Sequence, residues 1–364
     1  MAQEVIKCSN DYTNVDQYIE KNQIRKIFLV CGNSSYDLPI GKHFRYLENA
    51  QAVEICRFQS FQPNPLYESV KEGVKVFLAS KADCIMALGG GSAIDVAKCI
   101  KAFATMNQEK DYLQQRIVDN AIPLIAIPTT AGTGSEATHF AVIYRDGEKL
   151  SVAHSDLIPQ TVILDPDNLK TLPLYQRQVT MMDALCHAIE SIWSVHATEE
   201  SVENAKKAIR MIMQHKEEYL LNKDTGNRIM LEAAYLAGRA INITKTTAAH
   251  AMSYQLTSLY HIAHGQAVAI CMPEVWEHLQ KEAKNVKTKN SLQIIAEAMG
   301  CGDGMEALQL FRRMLDENHL ALHENITEDI LKQLSSTVNV ERLNNHPVAL
   351  DGKTLQRLYK LILL

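Results

Sequence analysis

Residues 83–98 read DCIMALGGGSAIDVAK, and this stretch decides the fold of the first half of the chain. Its apolar run ends in Gly89, Gly90 and Gly91, and a helical pattern follows at once. Glycines let the backbone approach a ligand closely, and a helix N-terminus presents N–H groups and a positive dipole end to a phosphate. We therefore predict a strand, a tight turn and a helix that bind a diphosphate. The alternative is a tight turn that binds nothing.

Similar apolar runs lie on both sides of this stretch: KIFLVCG at 26–32, AVEICRF at 52–58, PLIAIPTT at 123–130 and TVILDP at 161–166. Continuous apolar runs that alternate with helical segments are typical of a parallel sheet covered on both faces. After Tyr175, apolar residues recur three and four positions apart, which indicates helices. We predict an α/β domain at 1–175 with a mostly parallel, Rossmann-like sheet, an all-α domain at 176–364, and an active-site cleft between them.

The composition is that of a folded protein that acts on small molecules. With 364 residues and 46% hydrophobic content, the chain can bury two cores. Its 42 acidic and 37 basic residues give a net charge of -5, which does not favour binding to nucleic acid or to an anionic membrane. No apolar run reaches the roughly 18 residues of a membrane span, and the eight cysteines form no CxxC pair. We expect a cytoplasmic protein with reduced thiols.

Two further loops are candidates for contacts with a dinucleotide. Residues 129–138, TTAGTGSEAT, are rich in hydroxyls and glycine, although a polar turn without a ligand has the same composition. The run at 26–32 ends in Gly32, followed by Asn33 and Ser34, and has no carboxylate to bind an adenosine ribose. Such an end lacks the group that rejects a 2′-phosphate, so we expect NADPH to be preferred over NADH. An ordinary strand-to-helix loop is the alternative.

A metal site is predicted in the second half. Asp183 and His187 are four residues apart in a helical pattern, so both side chains project from one face. His250 lies in another helical segment, and His264 follows where Gly265 indicates a turn into a further helix. Three imidazoles and one carboxylate suit Fe(II) or Zn(II) and leave a position for a substrate oxygen. Taken alone, each histidine is better explained as an ordinary interior or surface side chain.

In order and spacing, the motifs GGGSAIDVAK, TTAGTGSEAT, DALCHAIES and the His264–Gly265 pair after His250 resemble the iron-containing, group III alcohol dehydrogenase family. The resemblance runs nearly from end to end. It implies that Asp183, His187, His250 and His264 hold one divalent metal ion. It also implies cofactor contacts at Gly90, Gly91, Ser92, Asp95, Thr129, Thr130, Thr133 and Lys149, the last near the nicotinamide ribose. Members of this family are usually homo-oligomers, and we expect a dimer.

Two positions depart from the pattern of many family members. Gly32 stands where NAD-preferring members have an aspartate, and NADP-using members look similar there. Tyr254 stands four residues after His250, where many members have a second histidine that has been proposed to help move the proton. The route of the proton therefore stays open among Tyr254, His261 and a chain of ribose hydroxyl and water.

The segment INITKTTAAHAMSYQLTS at 241–258 resembles a branch of the family that reduces phosphonoacetaldehyde to 2-hydroxyethylphosphonate. The ammonium of Lys245 and the hydroxyl of Thr246 would hold the phosphonate of such a substrate, although a solvated lysine fits equally well. We therefore expect a metal-dependent, NAD(P)H-linked alcohol dehydrogenase or aldehyde reductase of phosphonate metabolism. The alternatives are reduction of succinic semialdehyde or short aliphatic aldehydes, a dehydroquinate-synthase-like lyase, and a nucleotide-binding protein without catalytic activity.

Overall fold

The computed structural model describes residues 3–324 and 327–364, and the chain divides into two compact units. Unit 1 spans Met1–Leu172 and unit 2 spans Pro173–Leu364. The helical pattern becomes visible in the sequence only after Tyr175, because the first residues of the helix that begins at Leu174 are exposed and carry no apolar periodicity.

Unit 1 contains a six-stranded sheet in which neighbouring strands are parallel, as the sequence predicts. Its strands are β1 (Glu4–Lys7), β2 (Lys26–Cys31), β3 (Glu54–Phe58), β4 (Cys84–Gly89), β5 (Leu124–Pro128) and β8 (Thr161–Leu164), in the order β1-β8-β5-β4-β2-β3. Two further strands, β6 (Phe140–Arg145) and β7 (Glu148–Ala153), form a separate antiparallel hairpin.

Helices cover both faces of this sheet. They are α1 (Thr13–Lys21), α2 (Asn33–Tyr36), α3 (Pro39–Asn49), α4 (Tyr67–Ser80) and α5 (Gly91–Phe103), with short 3-10 helices at Tyr112–Gln114, Ser135–Ala137, Ser155–Leu157 and Pro166–Leu169. Successive side chains of a strand point to opposite faces. In β2, Phe28 and Val30 pack into the core beneath α4 and α5, whereas Ile27 and Leu29 pack into the core beneath α1 and α3. This double burial explains why the strand reads as a continuous apolar run.

Two strand features are missing from the prediction. Strand β1 pairs with β8, so the run at 26–32 forms the second strand along the chain and not the first. Strand β1 has four residues of which only Ile6 is buried, and so short and polar a segment carries no apolar signal. The hairpin β6–β7 lies outside the main sheet, and its turn is set by Asp146 and Gly147, which have φ values of 53° and 80°.

Unit 2 is helical throughout its described residues, as predicted. Its helices are α6 (Leu174–Trp193), α7 (Glu199–Leu220), α8 (Asp224–Thr244), α9 (Ala248–Tyr260), α10 (His264–Glu282), α11 (Val286–Met299), α12 (Gly304–Glu317), α13 (Glu328–Ser336), α14 (Val340–Asn344) and α15 (Gly352–Leu363). Within residues 3–324 and 327–364, no helix is both long and apolar enough to cross a membrane. The eight cysteines are free thiols, as expected.

Candidate active site

Two of the predicted cofactor loops touch at the carboxyl edge of the sheet in unit 1. Strands β4 and β5 are neighbours, so the segments that follow them emerge side by side. A Cβ atom on Gly90 would lie 3.4 Å from the side chain of Thr130, and one on Gly91 would lie 3.1 Å from that of Thr133. Both glycines therefore let the turn before α5 pack against the second loop. The structure brings the two segments together, and their contact with a dinucleotide stays a prediction.

Three further residues that were predicted to contact the cofactor are Thr129, Ser92 and Lys149. The backbone N–H of Thr129 donates to the Gly89 carbonyl at 3.1 Å, which fixes the start of the second loop. Ser92 lies in the first turn of α5 and is half-buried. Lys149 lies in β7 opposite Tyr144. Its positive charge is one of several influences that act on the carboxyl of Asp95.

Asp95 holds the second loop in place from within the protein. Its carboxylate accepts hydrogen bonds from Ser135 Oγ at 2.5 Å and from the Val142 backbone N–H at 3.0 Å. One turn along α5, the fully buried Lys98 donates from Nζ to the Thr138 carbonyl at 2.7 Å. Burial lowers the pKa of Lys98 to about 8. The sequence analysis overlooked Lys98, although a lysine on an otherwise apolar helix face is a usable signal.

An arginine that the sequence analysis also overlooked lies beside the end of β2. Gly32 precedes α2, where Asn33 and Ser34 are exposed. Arg57, on the neighbouring strand β3, donates from Nη2 to Asn33 Oδ1 at 2.6 Å. Its guanidinium also lies 4.5 Å from the centre of the Tyr36 ring. The sequence places Arg57 twenty-four positions from Asn33, and only the pairing of β2 with β3 brings the two together.

In unit 2, two helices bring three of the predicted metal ligands together. Asp183 and His187 lie one turn apart on α6, and His250 lies on α9. One oxygen or nitrogen from each lies within 4.8 Å of the others, and all three residues are buried. The rings of His187 and His250 stack with their centres 4.5 Å apart. The spacing of four residues between Asp183 and His187 therefore does place both on the face that meets α9.

The atoms of this cluster fit a metal ion. Asp183 Oδ1 and His250 Nε2 are buried 3.4 Å apart, and neither has a hydrogen-bond partner among the described residues. Buried polar atoms without partners are costly, and a cation between them would remove that cost. Burial opposes ionisation of Asp183, but the positive charges of His187, His264 and His250 outweigh it and lower its pKa. A carboxylate held ionised beside imidazole nitrogens is a suitable donor set for Fe(II) or Zn(II).

His264, the fourth predicted ligand, lies beside this cluster. Its ring centre is 5.6 Å from that of His250, at the first position of α10. The next residue, Gly265, was expected to form a turn, but it lies inside α10, where it packs closely against Val179 of α6. A Cβ atom there would be 2.1 Å from the Val179 carbonyl oxygen. The absence of a side chain at Gly265 therefore lets α10 approach α6 closely enough to bring His264 near Asp183.

Glu190 orients His250 and was missed by the sequence analysis. It lies on α6 seven residues after Asp183, is fully buried, and contacts His250 Nδ1. It also accepts from Thr247 Oγ1 at 2.6 Å and from the Ala249 backbone N–H at 2.9 Å. Burial opposes its ionisation, but the charge of His250 and these hydrogen bonds lower its pKa to about 2. Because an ionised carboxylate only accepts, His250 Nδ1 donates to Glu190, and Nε2 is the ring nitrogen that lies 3.4 Å from Asp183 Oδ1.

The predicted substrate residues lie just before α9. Lys245 ends α8 with a φ of 58°, and its Nζ pairs with a carboxylate oxygen of Glu341. The Lys245 side chain is 42% exposed, so the cation expected to hold a phosphonate already has an acidic partner at the surface. Thr246 is buried and lies within hydrogen-bonding reach of the Tyr254 hydroxyl. The Tyr254 ring lies 5.9 Å from that of His264.

Sequence models of one protein family match both units. The model "Iron-containing alcohol dehydrogenase" matches residues 2–166, and the model "Fe-containing alcohol dehydrogenase family, C-terminal" matches residues 178–363. The chain belongs to the iron-containing alcohol dehydrogenase family. As an iron-containing alcohol dehydrogenase, it is an oxidoreductase of alcohols and aldehydes. Membership of this family implies a metal ion and a nicotinamide cofactor.

This iron-containing alcohol dehydrogenase is similar to characterised proteins over much of its length. Alcohol dehydrogenase 4 of Saccharomyces cerevisiae is 32% identical over 266 residues, which cover 71% of this chain and 70% of the yeast protein. Long-chain-alcohol dehydrogenase 1 of Geobacillus thermodenitrificans is 34% identical over 226 residues, which cover 60% of this chain and 57% of that protein. The chain thus spans less than two thirds of the Geobacillus protein.

The fold is also that of solved structures. The sulfoacetaldehyde reductase from Bifidobacterium kashiwanohense, solved in complex with NAD+, matches with a TM-score of 0.90 and 23% identity. The match covers 99% of this chain and 96% of that chain. At this level of identity the match establishes the fold. It confirms the prediction of an α/β domain followed by a helical domain.

Proposed function

We propose that this alcohol dehydrogenase reduces a small anionic aldehyde, such as phosphonoacetaldehyde, to the corresponding alcohol with NADPH. A bound NADPH would supply a hydride to the carbonyl carbon and a proton would reach the carbonyl oxygen, which would give 2-hydroxyethylphosphonate and NADP+. The observation that carries the proposal is the position of Lys245 and Thr246 at the entry to α9, the helix of His250. A phosphonate at this place would leave the aldehyde within reach of the buried cluster.

The proposed metal ligands are Asp183, His187, His250 and His264. A divalent ion held there would act as a Lewis acid on the substrate oxygen. Glu190 keeps His250 in the tautomer whose Nε2 can bind a cation, because its carboxylate accepts from Nδ1. The choice between Fe(II) and Zn(II) is set by metal supply as much as by this donor set.

The proton reaches the substrate oxygen through water in this proposal. Burial raises the pKa of Tyr254 above its ordinary value despite the nearby Arg342, so its hydroxyl is a weak acid at neutral pH. His261 is exposed at the end of α9 in a left-handed conformation, with a φ of 52°. In this proposal Tyr254 packs against His264 and does not take the proton-transfer role proposed for the second histidine of other family members.

The preference for NADPH is supported by the end of β2. Gly32, Asn33 and Ser34 offer no carboxylate against a 2′-phosphate, and Arg57 is held beside Asn33. A guanidinium near this strand end is the usual partner of a 2′-phosphate. The cofactor diphosphate would bind Gly90, Gly91 and Ser92, with Asp95 as a positioning residue. Thr129, Thr130, Thr133 and Lys149 would bind the rest of the cofactor, Lys149 near the nicotinamide ribose. A homodimer stays a prediction.

The test is turnover by the metal-loaded enzyme, followed through the absorbance of the reduced nicotinamide. The cofactor is NADPH or NADH, and the panel holds phosphonoacetaldehyde, succinic semialdehyde, glycolaldehyde and butanal. We expect NADPH oxidation to be fastest with phosphonoacetaldehyde. Oxidation only with uncharged aldehydes would contradict the anionic substrate, and oxidation with none of them would favour a lyase of the dehydroquinate-synthase type.

The metal role is tested by His250→Ala. We expect the variant to lose bound metal and to lose more than about 10²-fold in kcat/KM. The matched control is His215→Ala on α7, because His215 lies at the surface and pairs with Glu218 at 2.8 Å. Undiminished turnover by a metal-free His250→Ala protein would contradict the scheme.

A further inference from the structure

The residue that follows α14 is hydrogen-bonded to the loop between α8 and α9. Asn345, which follows α14, donates from Nδ2 to the Thr244 carbonyl at 2.6 Å and to the Thr246 carbonyl at 2.9 Å. Its Oδ1 accepts from Ser194 Oγ at 2.7 Å, and all of these contacts are buried. The loop that carries the proposed substrate residues is therefore held in a fixed position against α14.

This attachment brings Arg342, on α14, beside Tyr254, a residue of α9. Burial raises the pKa of the Tyr254 hydroxyl, the charge of Arg342 lowers it to a smaller extent, and the Arg342 Nη1 atom is buried. Thr246 reaches the same hydroxyl, and the Tyr254 ring stacks on His264 at 5.9 Å. One tyrosine ring therefore separates Arg342 from a proposed metal ligand.

The two cations near the start of α9, Lys245 and Arg342, are not equivalent. Lys245 is 42% exposed and is paired with Glu341, which is itself 68% exposed. An exposed, paired ammonium contributes little to the binding of an anion, because water and its partner screen it. The buried nitrogen of Arg342 is less screened. A guanidinium also offers two parallel N–H donors to the oxygens of a phosphonate, sulfonate or carboxylate.

We propose that Arg342 is the main residue that binds the anionic group of the substrate, with Thr246 as a second donor and Lys245 in a minor role. This inference rests on the proposed function, since it names the residue that selects the anionic aldehyde. The anionic group would lie between α14 and the start of α9. Sequence analysis had no reason to single out Arg342, because it lies about ninety positions after His250 and in none of the motifs.

The first experiment compares Arg342→Gln with the wild-type enzyme on phosphonoacetaldehyde and on butanal. We expect kcat/KM for the phosphonate to fall about 10- to 100-fold, mainly through KM, while that for butanal changes less than about 3-fold. Arg342→Lys should recover part of the loss. The matched control is Arg239→Gln, whose arginine pairs with Glu200 at 2.9 Å on the exposed face of α8. An equal loss on both substrates would show a structural role for Arg342 and overturn the proposal.

A variant that is expected to raise kcat/KM and a binding measurement complete the test. Glu341→Gln removes the acidic partner of Lys245 at an exposed site, so we expect kcat/KM for the phosphonate to rise slightly, by less than the loss in Arg342→Gln. Calorimetric titration with methylphosphonate, with and without bound metal, should give a Kd about 10- to 100-fold weaker in Arg342→Gln. An unchanged Kd would overturn the inference. If the wild-type enzyme reduces butanal but binds no methylphosphonate, the anionic substrate fails; if it reduces no aldehyde, the proposed function fails.

Discussion

Glu190 shows how one buried carboxylate can decide whether a histidine is able to bind a metal. Its two oxygens accept from His250 Nδ1, from Thr247 Oγ1 and from the first backbone N–H groups of α9. The same residue thus orients the ring and stabilises the start of the helix that carries it. Trp193 adds a further support, since its Nε1 donates to Thr247 Oγ1 at 2.9 Å.

We expect Glu190→Gln to weaken metal binding about 10- to 100-fold. The amide can donate to His250 Nδ1, which would shift the ring proton to Nε2 and block the atom that faces the cluster. Competition with a chromogenic chelator measures the affinity. Glu203→Gln is the control, because Glu203 is exposed on α7 and pairs with Lys206 at 2.6 Å. An affinity equal to that of the wild type would contradict the orienting role.

We expect Glu136 to make the stability of unit 1 depend on pH. It is 2% exposed on the second cofactor loop, and burial raises its pKa from 4.5 to about 7, although the charge of Lys98 acts in the opposite direction. Between these two values the folded chain keeps a proton that the unfolded chain has released. The free energy of unfolding is therefore greatest below pH 4.5 and falls as the pH rises from 4.5 to about 7.

Replacing Glu136 with glutamine should remove this dependence. We expect the Tm of the wild type to fall relative to that of Glu136→Gln as the pH rises from about 5 to about 7.5, because only the wild type has this carboxyl to ionise. The raised pKa of Glu136 limits the loss in the free energy of unfolding to about 3 kcal/mol. Differential scanning calorimetry on the two proteins at both pH values checks the result. Parallel Tm curves would show that Glu136 is ionised throughout and would contradict the assignment.

At the scale of elements, the site depends on how closely α10 approaches α6. Gly265 permits that approach, because any side chain there would overlap the Val179 carbonyl and contact Asp183 Cβ at 3.1 Å. The clash is with backbone, which cannot rotate away as a flexible side chain would. The distance between His264 and Asp183 is therefore set by the packing of two helices.

We expect Gly265→Ala to lower stability by about 1–3 kcal/mol and to weaken metal binding, because α10 must move away from α6. Chemical denaturation and metal titration give the two quantities. Gly352→Ala is the matched control, since Gly352 is also at the start of a helix, α15, and a Cβ atom there would meet nothing within 4 Å. If both variants behave alike, the close packing at Gly265 is not what positions His264.

At the scale of the whole molecule, the two ligands should stabilise different units. The proposed metal ligands all lie in unit 2, and the proposed cofactor loops all lie in unit 1. A ligand that binds only the folded state stabilises it by about 2.7 kcal/mol at a hundred times its Kd. The protection it gives is largest in the elements that it contacts.

Hydrogen exchange tests this division. Adding Fe(II) or Zn(II) to the metal-free protein should slow exchange in α6, α9 and α10, whereas NADPH should slow exchange at 89–92 and 129–134. Removing the metal with a chelator should lower the Tm of the wild type and leave that of His250→Ala unchanged. Metal protection in His250→Ala, or protection spread evenly over both units, would place the metal elsewhere.

The sequence by itself determined the central strands, the helical second half and those parts of the proposed site that lie close together along the chain. Apolar runs indicated the central strands, and the three glycines at the junction of β4 and α5 marked the turn that packs against Thr130 and Thr133. A spacing of four placed Asp183 and His187 on one helix face, because helical geometry fixes that relation whatever surrounds it. The short strand β1 escaped detection, since four mostly exposed residues hold no pattern.

Only the tertiary structure decided which distant residues join the proposed site. Glu190 and His250 are 60 positions apart in the sequence. Arg57 reaches Asn33 because β3 is paired with β2. Arg342 lies near Tyr254 because α14 is attached to the loop before α9. It also showed that Lys245 is paired with Glu341. Local periodicity carries no information about such partners, because they are chosen by the packing of whole helices and strands, and that packing depends on the entire chain.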